Sequence, residues 1–419
     1  MSTTINTRKK IVHICTDDSV GGASVAVGRL HREFLSKGWD STILVKKKSA
    51  SHFDPTIIEM KSNKFIQFVR VILFRTEQII LNFALKNKNY NFSTNLVGSF
   101  YINQYIQDAD VLNLTWVNGG FLSLRDITKL TKLKKIILWR MSDLWPITGG
   151  CHYSLGCNEF TVGCKKCPLV KSWFSGIISN INKYKSKKWE TKNINFIAPS
   201  SWMERQVKSS PNFRSSSIKH ILTGIDISHF KRVNGSKFRN ELNLKTSKKI
   251  FLIGGNNPVL EHRKGWDLAE RALIRLHKKC DFELVVFGGF VRKYDLPFKT
   301  HFIGRVEYKN LPELYSACDV FLAPSREENY ANTVIEAIAC KLPVVAFEIG
   351  GMPDAILHKE NGYLAKPFEV IDYCNGMEWA LSCSNELLAN SECIEKIDQK
   401  ITIEGYIDYI ACIQNQSNI

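Results

Sequence analysis

In both halves of this chain short, mainly apolar runs recur, several of them ending in a glycine or Pro-Ser turn that leads into a helical pattern. In the first half the runs cover 11–15, 41–45, 111–114, 136–139 and 195–198. In the second they cover 250–255, 283–288, 301–304, 319–323 and 344–347. Runs without polar alternation are expected of strands buried on both faces, as in parallel sheets covered by helices. Helical spacing lies between them: Val27, Leu30, Phe34 and Leu35 share one side of 24–37, which Gly38 ends, and 266–278 reads likewise. The expected class is α/β, with two doubly wound domains. A chain of 419 residues can bury two separate cores. The Ser-, Lys- and Asn-rich stretch 212–246 is the expected join, giving domains at 1–220 and 221–390 and a helical tail at 391–419.

The most informative segment runs from Pro324 through Ser325, Glu328 and Asn329 to Glu336 and Ala337. An apolar run meets a Pro-Ser turn, and a helix-forming run follows. In an open parallel sheet, ligands bind just beyond the carboxyl ends of the strands. Glu328 then belongs to the loop facing the ligand and Glu336 to the first turns of the helix. Carboxylates there accept hydrogen bonds from sugar hydroxyls, and the first amides of the helix can hold an anion. A sugar joined to a diphosphate needs both.

This stretch resembles the E-x(7)-E motif of the family 4 retaining glycosyltransferases, which have the GT-B fold. The similarity continues through Leu342-Pro343-Val344-Val345-Ala346-Phe347, Gly350-Gly351-Met352-Pro353-Asp354 and Asn361-Gly362-Tyr363-Leu364. The resemblance implies two Rossmann-like domains facing a cleft, with a C-terminal helix crossing back to the first. It implies metal-independent, retaining transfer of a hexose from a nucleotide-sugar donor, the leaving phosphate serving as base. Lys264 of the Lys264-Gly265 pair is then the contact to the donor diphosphate. Arg263 replaces an earlier arginine of the family, where this chain has Gly255-Asn256-Asn257. By the same resemblance Glu328 meets donor-sugar hydroxyls, Glu336 the ribose, and Arg305 and Val306 the nucleobase. The amides of Asn329, Tyr330, Ala331 and Asn332, and the Gly21-Gly22 loop, are assigned to the phosphates. Lys341 departs from the pattern, since a glycine commonly stands there.

A second segment, from Trp139 through Ser142-Asp143 to Thr148-Gly149-Gly150-Cys151-His152-Tyr153, resembles a subgroup acting on lipid-linked oligosaccharides. That implies an undecaprenyl-diphosphate-linked acceptor in O-antigen, capsule or exopolysaccharide assembly. Many relatives have His-Asp where this chain has Ser142-Asp143. Asp143 is therefore either a cleft residue or a cap for the following turn. No Ser-His-Asp or Cys-His arrangement declares itself. Asp108-Ala109-Asp110 matches an Asp-x-Asp metal motif only superficially and reads as a loop cap before a strand. An enzyme acting on a soluble acceptor, and a silent sugar-nucleotide-binding subunit, are the alternatives.

The formal charge of +17 is uneven: residues 1–220 carry +19 and the remainder −2. The first half is expected to face something anionic. No nucleic-acid-binding motif accompanies the charge, which favours a membrane surface or a lipid diphosphate over nucleic acid; a solvated basic surface is the plain alternative. Residues 64–88 read as a basic, strongly apolar helix. Arg70, Arg75 and Glu77 argue against a bilayer span, leaving a helix in the membrane interface or a core helix. With no signal-peptide pattern at the start, the expected location is cytoplasmic and peripheral on the inner face of the membrane.

Cys151, Cys157, Cys164 and Cys167 stand six, seven and three residues apart. In a reducing compartment they suit either a structural Zn²⁺ or a cluster of unligated thiols. No cofactor is expected in the transfer itself.

Overall fold

A computed structural model describes residues 8–19, 21–49, 54–60, 63–245, 247–289, 294–383 and 391–417. The chain divides into two compact units. One runs to Ile221 and takes back the chain from Thr402; the other is Leu222–Ile401.

The first unit holds β1 (Lys10–Ile14), β2 (Asp40–Val45), β3 (Ile57–Glu59), β4 (Val111–Leu114), β5 (Ile136–Arg140), β6 (Ile194–Ala198) and β7 (Ser217–His220). They pair in parallel in the order β3-β2-β1-β4-β5-β6-β7. Every residue of β4 and of β6 is buried, which explains why each carries a single polar residue, Asn113 and Asn195. Asp110 Oδ2 accepts from the Lys10 amide at 2.7 Å, tying the start of β4 to β1. The helix Gln399–Ser417 seats Ile403, Tyr406, Ile410 and Ile413 against Ile11, Phe34, Trp39 and Leu138, and the Tyr409 hydroxyl meets Ser217 Oγ at 2.7 Å.

The second unit holds β8 (Lys249–Gly254), β9 (Phe282–Phe287), β10 (Thr300–Gly304), β11 (Val320–Ala323), β12 (Val344–Phe347) and β13 (Gly362–Ala365). All pair in parallel, in the order β10-β9-β8-β11-β12-β13. Alternate residues of one strand serve different cores. Phe251 and Ile253 pack on one face of the sheet, and Ile250 and Leu252 on the other. Both faces are thus covered, and the strand order reverses between β8 and β11. That reversal opens a crevice beyond the strand ends.

The 64–88 segment is not a core helix. It forms Lys64–Ala84, of which only Glu77, Leu81 and Ala84 are buried. No helix among the described residues is long and apolar enough to cross a membrane.

Candidate functional site

The loops leaving β8 and β11 meet at the reversal point. Gly265 makes the approach possible. Its φ of +70° suits glycine, and a Cβ there would lie 2.0 Å from the Pro324 carbonyl oxygen. With the two loops in contact, the Arg326 amide donates to the Arg263 carbonyl at 2.7 Å, and the Arg326 guanidinium grips both Asp267 oxygens at 2.7 and 2.6 Å. Lys264 Nζ and an Arg263 guanidinium nitrogen then donate to the same Glu328 oxygen, at 2.6 and 2.9 Å. Arg263 is anchored further by Glu261 at 2.8 Å and by the Glu327 carbonyl at 2.9 Å. Burial pushes the Glu328 carboxyl up, but the charges and hydrogen bonds of Lys264 and Arg263 outweigh it and hold it down to about 2. Glu328 is a fixed anion holding two cations at the strand ends.

Lys264 borders a concavity with Gly254, Pro258, Ser325, Ala331 and Thr333. The helix Asn332–Ala339 starts there, with Ala331 as an N-cap that offers no side-chain acceptor. Amides at a helix start and an ammonium group in one concavity suit an anionic ligand. Glu336 lies one turn in, buried, accepting from the Tyr315 hydroxyl at 3.0 Å. Asn329 and Tyr330 are also buried. Gly350, with φ of +53°, packs where a Cβ would sit 1.8 Å from the Glu328 carbonyl oxygen; this explains the first glycine of the pair that follows β12. At the same edge Gly304 ends β10 with φ of +67°, leaving Arg305 exposed and Val306 half-buried against the core.

The remaining assigned residues lie in the first unit. Gly21, with φ of +85°, opens the helix Gly21–Ser36 after β1, and Gly22 is exposed beside it. Asp143 is buried and takes the capping role. One oxygen caps the turn by accepting from the Trp145 amide at 2.9 Å, and the other meets His152 Nδ1 at 2.6 Å. His152 Nε2 in turn lies 2.9 Å from Ser93 Oγ. An Asp-His-Ser chain therefore does exist, contrary to the expectation that none declares itself. Its serine comes from 59 residues away and has no local signature. Ser142, in the place of the family histidine, accepts from Arg140 at 3.2 Å.

Cys151, Cys157, Cys164 and Cys167 line one apolar concavity with Phe92, Phe160, Leu169 and Ile178. Burial first, then mutual proximity, raises the Cys151 and Cys164 thiols, the latter to about 12. Among the described residues no three His, Cys, Asp or Glu side chains are arranged to hold a metal ion. Zinc would require the sulfurs to draw together from these positions. Lys185 lies wholly buried beside this cluster, donating to the Trp145 and Thr148 carbonyls at 2.6 and 3.0 Å.

Fold and geometry define a class: two doubly wound units, one carrying an anion-competent switch point backed by a buried carboxylate. Comparison with known proteins narrows it. Residues 235–397 match the family model for glycosyl transferases group 1. The lipopolysaccharide core biosynthesis mannosyltransferase LpsB of Rhizobium meliloti is 30% identical over 152 residues, 32% of this chain and 42% of LpsB. WcaC of Escherichia coli, provisionally assigned to colanic acid biosynthesis as a glycosyl transferase, is 22% identical over 370 residues, 84% of this chain and 86% of WcaC. The structure of Anabaena HepE in complex with UDP-glucose superposes with a TM-score of 0.64 at 15% identity, covering 96% of this chain and 99% of HepE. The chain spans about half, or less, of the length of several curated relatives it matches. The likeness to group 1 glycosyltransferases is carried mainly by residues 235–397 of the second unit, and the fold is that of GT-B proteins.

Proposed function

We propose that this protein is a retaining hexosyltransferase that moves a sugar from a nucleotide-sugar donor to a lipid-linked oligosaccharide during surface-polysaccharide assembly. The observation that carries the reading is the Lys264–Glu328–Arg263 cluster at the switch point, beside the uncapped start of the Asn332–Ala339 helix. In this reading the donor diphosphate sits in the concavity bordered by Lys264 and Thr333. The helix amides and Lys264 stabilise the negative charge that grows on the diphosphate as the glycosidic bond breaks. Glu328 keeps the two cations in place and presents its second oxygen to a donor-sugar hydroxyl. Glu336, oriented by Tyr315, takes the ribose, and Val306 and Arg305 the base. A diphosphate oxygen accepts the acceptor's proton, and the sugar is delivered with its configuration kept. The UDP-glucose complex of HepE supports a nucleotide-sugar donor, and the names of LpsB and WcaC support a polysaccharide product.

The test is thermal unfolding of the purified chain against a panel of nucleotides and sugar nucleotides. Stabilisation by one nucleotide family, lost in Lys264→Ala and Glu336→Ala, supports the donor site. A folded protein that no sugar nucleotide stabilises refutes it.

A further inference from the structure

The helix Lys64–Ala84 is inside out. Arg70, Phe74, Glu77, Leu81 and Ala84, at helical spacing, form the stripe turned toward the first unit, and two of those five are charged. Arg70 donates to the Ser99 carbonyl at 3.0 Å. Glu77 accepts from the Thr94 hydroxyl and from the Leu96 and Val97 amides, the latter two at 3.0 and 3.1 Å. The opposite side carries the apolar residues: Phe65, Phe68 and Phe83 are 73%, 63% and 68% exposed, and Ile66, Ile72, Leu73, Ile79 and Ile80 are exposed with them. An ordinary surface helix turns its charges to water and its apolar stripe to the core. Here polar bonds fix the helix to the body, and a contiguous apolar face is left outside, far beyond the scattered hydrophobics usual on a soluble protein.

We propose that this face is an in-plane membrane anchor that lies in the interface of a bilayer with anionic headgroups. The occupant is indicated by the charges around the patch. Lys64 begins the helix, Arg75 lies exposed along it, and Lys86 and Lys88 follow its end, all within residues 1–220, the half that carries +19. The strand-like bridge of Leu85 with Val170, and the Lys171 amide's bond to the Ala84 carbonyl at 2.8 Å, set the helix Ser172–Lys188 at the same end. Its exposed Trp173 and the exposed Lys171 supply an aromatic ring and a cation suited to the headgroup level. Apolar area entering the acyl boundary and cations drawn to anionic lipid act together in such anchors. The helix would hold the first unit where a lipid-linked substrate is found, a consequence that goes beyond the glycosyl-transfer reading, which rests on the other unit.

The test is co-sedimentation of the full chain with vesicles of phosphatidylcholine alone and of phosphatidylcholine mixed with phosphatidylglycerol, with and without high salt. The expected result is binding to the mixed vesicles, weakened by salt and reduced roughly tenfold or more in the triple variant F65Q/F68Q/F83Q. These three side chains are too exposed to hold the fold, and an unchanged unfolding temperature confirms it. Absence of binding to either vesicle, or equal binding by the triple variant, overturns the anchor. So does a lipid-free dimer of the wild type that the triple variant abolishes, which would give the face to a second copy of the chain. Sugar-nucleotide stabilisation of the triple variant, measured in parallel, keeps failure of the anchor separate from failure of the transferase reading.

Discussion

Lys264 and Glu328 meet at 2.6 Å from loops that leave adjacent strands of one sheet, although 64 residues separate them. The pair exists because β8 and β11 are neighbours at the point where the strand order reverses, and because Gly265 lets their loops touch. It couples the chemistry of the site to the stability of its unit.

Glu328 makes that coupling measurable. Its folded carboxyl lies at about 2 against an ordinary 4.5. Between those values the unfolded chain binds the proton that the folded chain refuses, so its stabilising contribution is full above pH 4.5 and is lost as pH falls toward 2. Glu328→Gln should cost on the order of 3 kcal/mol at neutral pH, by leaving two cations without their anion, and should flatten the acid limb. Urea unfolding of both proteins at several pH values between 3 and 7 reads both effects. Lys264→Ala should lower kcat/KM by roughly 10²–10³, if the cation meets the charge developing on the diphosphate.

Lys341 gives a prediction of the opposite sign. Its backbone has φ of +55°, a left-handed conformation that an L-residue holds at about 1–2 kcal/mol. Lys341→Gly removes that strain but frees the unfolded chain by about 0.5–1 kcal/mol. The balance favours the variant by roughly 0.5–1 kcal/mol, visible as a raised denaturation midpoint with an unchanged slope.

The departure of Lys341 from its family's glycine was readable in the sequence; the strain it causes was not, because φ has no local signature outside glycine. The central strands were legible for a physical reason. Burial on both faces leaves β4, β6, β9 and β11 almost no polar positions. Both edge strands of the first sheet escaped detection: β3 has three residues, and β7 carries one apolar side chain among Ser217, Lys219 and His220. In the site, Lys264, Arg263 and Glu328 were found through motifs, while the Tyr315 support of Glu336 was not, since it comes from a helix 21 residues upstream. The Lys64–Ala84 helix was ambiguous because apolar spacing does not say which face looks inward. The bonds of Arg70 and Glu77 decide it.

Asp143 divides its two oxygens between the Trp145 amide and His152 Nδ1. Asp143→Ala removes an acceptor from two buried donors and should destabilise the first unit by about 2–4 kcal/mol. Asp143→Asn keeps the cap to Trp145 but turns an amide toward the imidazole, so His152 must present the other tautomer and Ser93 must reverse its role. A smaller loss, about 1–2 kcal/mol, is expected for it. Denaturant unfolding of the two variants separates the cap from the histidine contact; equal losses would mean that His152 contributes little.

Lys185 offers a test in the alkaline direction. Burial pushes its ammonium down to about 7, against an ordinary 10.5, with Cys164, Cys151 and Asp143 opposing the shift. Above pH 7 the unfolded chain keeps this proton and the folded chain releases it, so stability should rise with pH, by at most about 1.4 kcal/mol per unit. From about pH 8 the raised thiols of Cys151 and Cys164, and of Cys15, Cys318 and Cys340, act with the opposite sign, because the unfolded cysteines ionise first. The clean window is therefore about pH 7 to 8. Lys185→Met deletes the titrating group and the bonds to the Trp145 and Thr148 carbonyls. The variant should show a flat profile across the window and a deficit that widens with pH. A wild-type profile that is also flat would mean that Lys185 keeps its charge in the fold, as an ammonium beside thiolates would.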